Sequence, residues 1–160
     1  MDPDQLWRDP DGDRRADGNG DTVNASADNL NLVATKDATL NSNVTTLDFS
    51  GRSITISETD AIDITASSAT GALSITAGGP ITQSGGIDAD STASFGAGAY
   101  SITLTNENND FSQAVSLSNS GSHNVSLRDA NTLDLGTVDV GQNLAITASG
   151  AITDSGVVTV

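Results

Sequence analysis

Alternating acidic residues near the start of the chain are the side chains best suited to bind a metal ion. Two short segments place oxygen-bearing side chains at every second position, as do ligands 1, 3 and 5 of a calcium loop. The six candidate ligands are Asp9, Asp11, Asp13, Asp17, Asn19 and Asp21. Neither segment has the glycine of such a loop at its sixth position, which is Arg14 or Thr22, and neither has the bidentate Glu. Two interpretations stay open, a calcium site and a flexible acidic leader over residues 1–21, and the pattern favours the leader.

Further along the chain, a second set of groups has the chemistry for acid–base catalysis. Hydrolysis of a glycosidic bond requires two or three carboxyl groups that converge on one site. The candidates are Glu58, Asp60, Asp63, Asp129 and Asp134, together with the single histidine, His123. Whether they converge depends on the structural elements that carry them.

Those elements are copies of one unit. The segment LSITAGGPITQSG at residues 73–85 returns as LAITASGAITDSG at residues 144–156, with nine of thirteen positions identical. The same offset places Ile54-Thr55-Ile56 on Val125-Ser126-Leu127. A repeat this close predicts a solenoid, propeller or array. We assign one domain to residues 22–160, with repeat one at about 22–89 and repeat two at about 90–160.

The pattern inside each copy predicts short strands and almost no helix. Apolar and polar residues alternate over three to five positions, and Gly, Asn, Asp and Ser interrupt them. Strands this short need neighbours above and below, which a coil supplies. The chain is therefore predicted to be an all-β, right-handed, three-sided parallel β-helix (β-solenoid) of about six turns, with three turns in each 71-residue repeat.

Apolar anchors give a provisional count of the turns. The first-side anchors are predicted at Ile75, Phe95, Leu117 and Ile146, and the last interval is the longest. Because this interval is too long for three short sides, the sequence predicts a protrusion near residues 137–143. Glycines such as those of Gly78-Gly79, Gly85-Gly86 and Gly96-Ala97-Gly98 are predicted at corners, where positive φ costs them little. The asparagines are predicted at bends, either as ordinary turn residues or as ladders between turns.

The predicted coil argues against a catalytic site. Three turns separate repeat-related carboxylates such as Asp63 and Asp134 by roughly 14 Å, too far for a catalytic pair. A solvated loop position for His123 is favoured over an acid–base role. We therefore expect that the chain is not an enzyme. The alternative that stays open is a β-helix protein that binds or cleaves carbohydrate.

Composition narrows the choice of partners. The chain has 21 acidic and 6 basic residues, so we expect no binding to nucleic acid and no direct membrane insertion. There is no cysteine, which excludes a disulfide framework and cysteine-ligated metals. We expect no cofactor, apart from the calcium considered above.

Four segments resemble the repeats of filamentous haemagglutinin-like bacterial exoproteins. They are LSITAGGPITQSGGI, SITLTNENNDFSQAVSLS, VSLRDANTLDLG and NLAITASGAITDSG, within residues 45–160. The resemblance implies a right-handed parallel β-helix from the shaft of a large Gram-negative surface adhesin, exported by a two-partner pathway. It implies an extracellular location, a structural or adhesive role and no catalytic residues. A glycan or protein on a host or cell surface is the partner that such a role suggests.

The ends of the predicted solenoid would expose unpaired strand edges. The alternating pattern begins at Thr22 and Val23 and continues through Val157, Val158 and Val160. We expect these five residues to form assembly edges. Their partner is predicted to be a second copy stacked head to tail, or adjacent repeats of a longer chain.

Overall fold

A parallel β-solenoid forms from stacked short strands. The computed structural model describes the backbone of residues 7–8, 14–17 and 22–160, and it describes side chains from residue 22 onward except those of Val23 and Ala27. The strands are β1 (Trp7–Arg8), β2 (Arg14–Asp17), β3 (Thr22–Val33), β4 (Ala38–Gly51), β5 (Ile54–Glu58), β6 (Ile62–Ile64), β7 (Ser67–Ala69), β8 (Leu73–Ala77), β9 (Ile81–Gln83), β10 (Ile87–Ala89), β11 (Ala93–Gly96), β12 (Ile102–Leu104), β13 (Asp110–Phe111), β14 (Val115–Ser118), β15 (Val125–Asp129), β16 (Leu133–Asp139), β17 (Leu144–Ala148), β18 (Ile152–Asp154) and β19 (Val158–Thr159).

Parallel pairing places these strands on three sides. Side A carries β5, β8, β11 and β14. Side B carries β6, β9, β12, β15 and β17. Side C carries β7, β10 and β13, and also β18, which pairs with the first half of β16. The long strand β4 pairs with β5, β6 and β7 and so follows all three sides, while β16 passes from side C to side A.

The core is a set of aliphatic columns running along the solenoid. Period-two alternation turns every second side chain inward. Parallel in-register pairing then places each inward side chain on an inward side chain of the next turn. On side A, Ile56, Ile75, Phe95 and Leu117 lie in successive turns, and each is 0 or 1% exposed. Phe95 also meets Phe111 of side C edge to face across the core, with ring centroids 6.0 Å apart. The predicted all-β, three-sided parallel solenoid is confirmed.

The number of turns is about seven, so the predicted six is too low. The predicted protrusion is also wrong, because Val138 lies in the second half of β16, pairs with Leu117 and is 1% exposed. The first-side residue after Leu117 is therefore Val138, and Val158 stacks on it in the next turn. Ile146 instead pairs with Leu127 on side B.

This correction changes the meaning of the internal repeat. Ile75 lies on side A, whereas its equivalent Ile146 lies on side B. In the same way Ile81 of side B is equivalent to Ile152 of side C. One repeat is thus three turns plus one side, rather than the three turns predicted, and the second copy is rotated by one side about the solenoid axis.

Close backbone contact, rather than positive φ, accounts for most corner glycines. Among the described glycines, only Gly98 and Gly121 have positive φ, at 52° and 71°. Of the corner glycines named from the sequence, Gly98 thus has positive φ, whereas Gly78-Gly79 and Gly85-Gly86 do not. A Cβ added to Gly85 would lie 2.3 Å from the backbone nitrogen of Ala66, one turn away. Glycine is needed there because two turns approach each other backbone to backbone.

Two parts of the chain near the start are described only as backbone. Strand β2 pairs in parallel with the end of β3, and β1 pairs with β2 in antiparallel fashion. Most of the predicted acidic leader lies outside the described residues, so the division at residue 21 stays a prediction.

Candidate functional site

The candidate calcium ligands lie at the margin of the described structure. Asp9, Asp11, Asp13, Asn19 and Asp21 fall outside the described residues, and Asp17 is described only as backbone in β2. Calcium binding therefore stays a prediction. Among the residues that were searched, no group of three His, Asp or Glu side chains is placed to hold a metal ion.

The repeat-related aspartates on the surface hold neighbouring turns together. Asp63 accepts hydrogen bonds from the hydroxyl groups of Thr82 (3.2 Å) and Ser84 (2.6 Å), one turn above. Asp134 accepts the equivalent bonds from Thr153 (3.1 Å) and Ser155 (2.6 Å). Because the second copy is rotated, the first motif lies on side B and the second on side C. The expectation that these groups lie on matching sides is wrong, and the structure does not bring them together.

The single histidine also lies far from Asp129, the acid near it in sequence. The His123 ring packs against the ring of Tyr100, with centroids 6.0 Å apart. Asp129 lies at the far end of β15, six positions further along, which in extended chain is on the order of 15–20 Å. Residues His123 and Asp129 therefore do not form one site.

Glu58 is a buried carboxylate with a full set of donors. It ends β5 and is 4% exposed. One carboxylate oxygen accepts from the Ser42 hydroxyl (2.6 Å) and the Val44 amide (3.1 Å) of the turn below. The other accepts from the amide groups of Thr59 (2.8 Å) and Asp60 (3.5 Å). Four donors thus satisfy this buried carboxylate, which closes a corner of the solenoid.

Asp129 occupies the equivalent position in the second repeat and is less well satisfied. It is 0% exposed and ends β15. Its Oδ1 accepts from the Phe111 amide of the turn below at 3.3 Å, whereas its Oδ2 has no hydrogen-bond partner. Burial raises the pKa of this carboxyl, and the charge of Asp110 raises it further, against the lowering effect of backbone amides.

Two buried asparagines, which the sequence predicted as turn residues or as ladders between turns, each join three turns. The Asn109 amide nitrogen donates to Gln83 Oε1 (2.9 Å), to the Leu104 carbonyl (3.2 Å) and to the Arg128 carbonyl (3.0 Å). Its Oδ1 accepts from Gln83 Nε2 (2.8 Å) and the Ile87 amide (3.1 Å). The only sequence signal for this role was the position of Asn109 after an alternating segment. Asn106 and Asn108 have the same position, so the signal does not single out Asn109.

Asn119 plays the same part at a corner after side A. Its amide nitrogen donates to the carbonyls of Tyr100 (2.9 Å) and His123 (3.0 Å), and its Oδ1 accepts from the Gly141 amide (3.1 Å). Simple Asn ladders also occur, since Asn143 donates to Asn124 at 3.0 Å. Both alternatives for the asparagines are thus found, at different positions.

The last turn is the most exposed apolar surface of the described residues. We call β17, β18 and β19 the terminal edge. Each pairs with the turn below, while no pairing with a turn above is present among the described residues. Ile152 is 50% exposed, Val157 70%, Val158 41% and Val160 63%. The three predicted edge residues of this end therefore lie on an accessible edge; at the other end Thr22 is exposed, and the Val23 side chain is not described.

Comparison with known proteins places the chain in a family. The model of the family described as repeats of unknown function (DUF5649) matches residues 51–118 and 122–160. The starts of the two matches are separated by the offset of the internal repeat. The chain belongs to this family. No curated protein and no solved structure matches it.

Within the described residues, no helix combines the length and apolar character needed to cross a bilayer. The observations taken together define a β-solenoid repeat protein. Its described polar groups mainly bond one turn to the next, and the terminal edge carries its most exposed apolar side chains.

Proposed function

We propose that the chain is a structural and adhesive repeat module of an extracellular bacterial surface protein of the filamentous haemagglutinin-like kind, in a Gram-negative cell. Its task is to supply length and surface. The outward faces would contact a glycan or protein on a host or neighbouring cell, and neither a cofactor nor nucleic acid takes part.

The terminal edge is the observation that carries this proposal. Inward positions that are 0–2% exposed in lower turns, such as Ile81, correspond to exposed positions such as Ile152 in the last turn. Another coil laid on β17–β19 would bury those side chains and pair their free backbone groups, at about 25 cal/mol for each Å² of apolar surface covered. The coil can come from a second copy stacked head to tail, or from adjacent repeats.

Assembly is tested by light scattering and electron microscopy of the purified chain over a range of concentrations. We expect end-to-end association that Val158→Lys abolishes, because this change places a charge on the inward side of the edge. Thr159→Lys is the matched control, since Thr159 is exposed on the adjacent outward position. A wild-type chain that stays monomeric at high concentration, or equal association of both variants, would contradict self-assembly and leave adjacent repeats as the covering coil.

A further inference from the structure

Two buried carboxylates at the same repeat position meet different surroundings. Glu58 and Asp129 both end a strand, and both accept an amide hydrogen bond from the turn below. The glutamate reaches far enough to use both oxygens, since its Oε2 also accepts from Ser42. The shorter aspartate leaves Oδ2 buried without a partner. A buried carboxylate oxygen without a donor destabilises the ionised form of the folded protein.

Neighbouring turns solve the same structural problem with neutral groups. The Phe49 amide donates to the Ser67 hydroxyl at 3.0 Å, and the Ile87 amide donates to Asn109 Oδ1 at 3.1 Å. Each bond runs from the start of a side C segment to a side chain of the next turn. At Asp129 a carboxyl group accepts from the Phe111 amide instead. Neutral groups thus accept amide hydrogen bonds from the turn below at other corners.

The charges around Asp129 add to the effect. On β13, Asp110 faces it, and Asp88 lies in register with Asp110 one turn further down. On β15 the neighbouring Arg128 side chain is partly exposed, and β17 above carries no charged side chain. The nearby carboxylate charge thus disfavours ionisation of Asp129.

We propose that Asp129 makes the stability of the second repeat depend on acid: proton uptake by this buried carboxyl stabilises the turns that carry β13, β15 and β17, and proton loss at higher pH destabilises them. The unfolded carboxyl ionises at its ordinary pKa of 3.8, whereas the folded one holds its proton to higher pH. The stabilising contribution is accordingly complete below pH 3.8 and is lost as the pH rises through the folded pKa.

The test compares the unfolding equilibrium constants of the wild type and Asp129→Asn at a series of pH values from about pH 3.5 to about pH 7.5. The difference between the two proteins cancels the titration that the other carboxyl groups share. At the upper end we expect the wild type to unfold with an equilibrium constant about 5-fold to 100-fold larger than that of the variant, as an unsatisfied buried group implies. At the lower end the two constants should converge.

Two further variants keep the test decisive. Asp129→Ser supplies the hydroxyl acceptor that Ser67 provides in a lower turn, so it should be more stable than the wild type at the upper end of the pH range even if the asparagine amide does not fit. Asp110→Asn removes the facing charge, which raises the pKa of Asp129. The stability of this variant should therefore change less with pH than the stability of the wild type. Equal stability of wild type and both position-129 variants at every pH, or a difference that does not change with pH, would overturn the proposal.

Discussion

Truncation of one core residue in each repeat tests the difference between an interior turn and the terminal edge. Ile75 and Ile146 occupy the same repeat position, in the segments LSITA and LAITA. Ile75 is 0% exposed between Ile56 below and Phe95 above. Ile146 is only partly buried and stacks on Leu127 alone. The same Ile→Ala change therefore probes two environments with closely matched local sequence.

The expected losses follow from the atoms removed. Ile→Ala deletes three carbon groups, or about 2.4 kcal/mol of transfer free energy at about 0.8 kcal/mol each. At Ile75 a closed cavity adds to this, so we expect a loss of about 3–5 kcal/mol. At Ile146 the site is open to solvent, and part of the side chain is already hydrated, so we expect about 1–2 kcal/mol.

Urea unfolding followed by far-ultraviolet circular dichroism measures both losses from the transition midpoints. Hydrogen exchange locates them, because in a solenoid each turn is stabilised mainly by its nearest neighbours. Protection should fall around β5, β8 and β11 for Ile75→Ala, and only around β15 and β17 for Ile146→Ala. Equal losses at the two positions, or a larger loss at Ile146, would refute the reasoning.

Three other substitutions test the contacts between turns. Asn109→Ala removes five hydrogen bonds across three turns and should lower the free energy of unfolding by about 3 kcal/mol or more in urea titrations; a loss below about 1 kcal/mol would contradict the clamp. Glu58→Gln weakens four bonds to a carboxylate and should cost about 2 kcal/mol at neutral pH, whereas unchanged stability would show that charge is not needed there. Gly85→Ala places a Cβ 2.3 Å from the Ala66 nitrogen and should lower the melting temperature by several degrees; an unchanged melting temperature would show that the corner can open without cost.

Local patterns were enough to predict the strands and their inward residues. Alternation at Ile54-Thr55-Ile56 or Leu73-Ser74-Ile75 has only one interpretation once glycine corners bound it. The inward members are 0–2% exposed, as alternation requires. Alternation involves only residues that are neighbours in sequence, so strands and inward positions can be predicted without knowing which turns lie above and below.

The assignment of strands to sides could not be predicted in the same way. Stacked residues are separated in sequence by 17 at Asn24 and Asn41 but by 22 at Gly98 and Ser120, so no fixed count tells which side a strand reaches. Equal sequence also suggested equal side, which made Ile146 a first-side residue. A strand and the corner after it are the same in both repeats. The side of the solenoid on which that strand lies depends instead on the summed length of all earlier turns.

The buried polar contacts were hidden for a related reason. Asn109 differs from Asn106 and Asn108 only in the turns that lie above and below it. A carboxylate such as Asp129 is likewise indistinguishable by sequence from a surface group, since its burial depends on Phe111 in the preceding turn. These contacts require the register between turns.

Disulfide trapping tests most directly the claim that one repeat is three turns plus one side. The chain has no cysteine, so an introduced pair has no competitor. Ser126 and Ala145 are register partners on side B, and adjacent turns lie about 4.8 Å apart, within the range of a disulfide. Ser116 lies on side A, where the unrotated repeat would pair it with Ala145. We predict rapid crosslinking of S126C/A145C and none of S116C/A145C under mild oxidation; the reverse result would contradict the rotation.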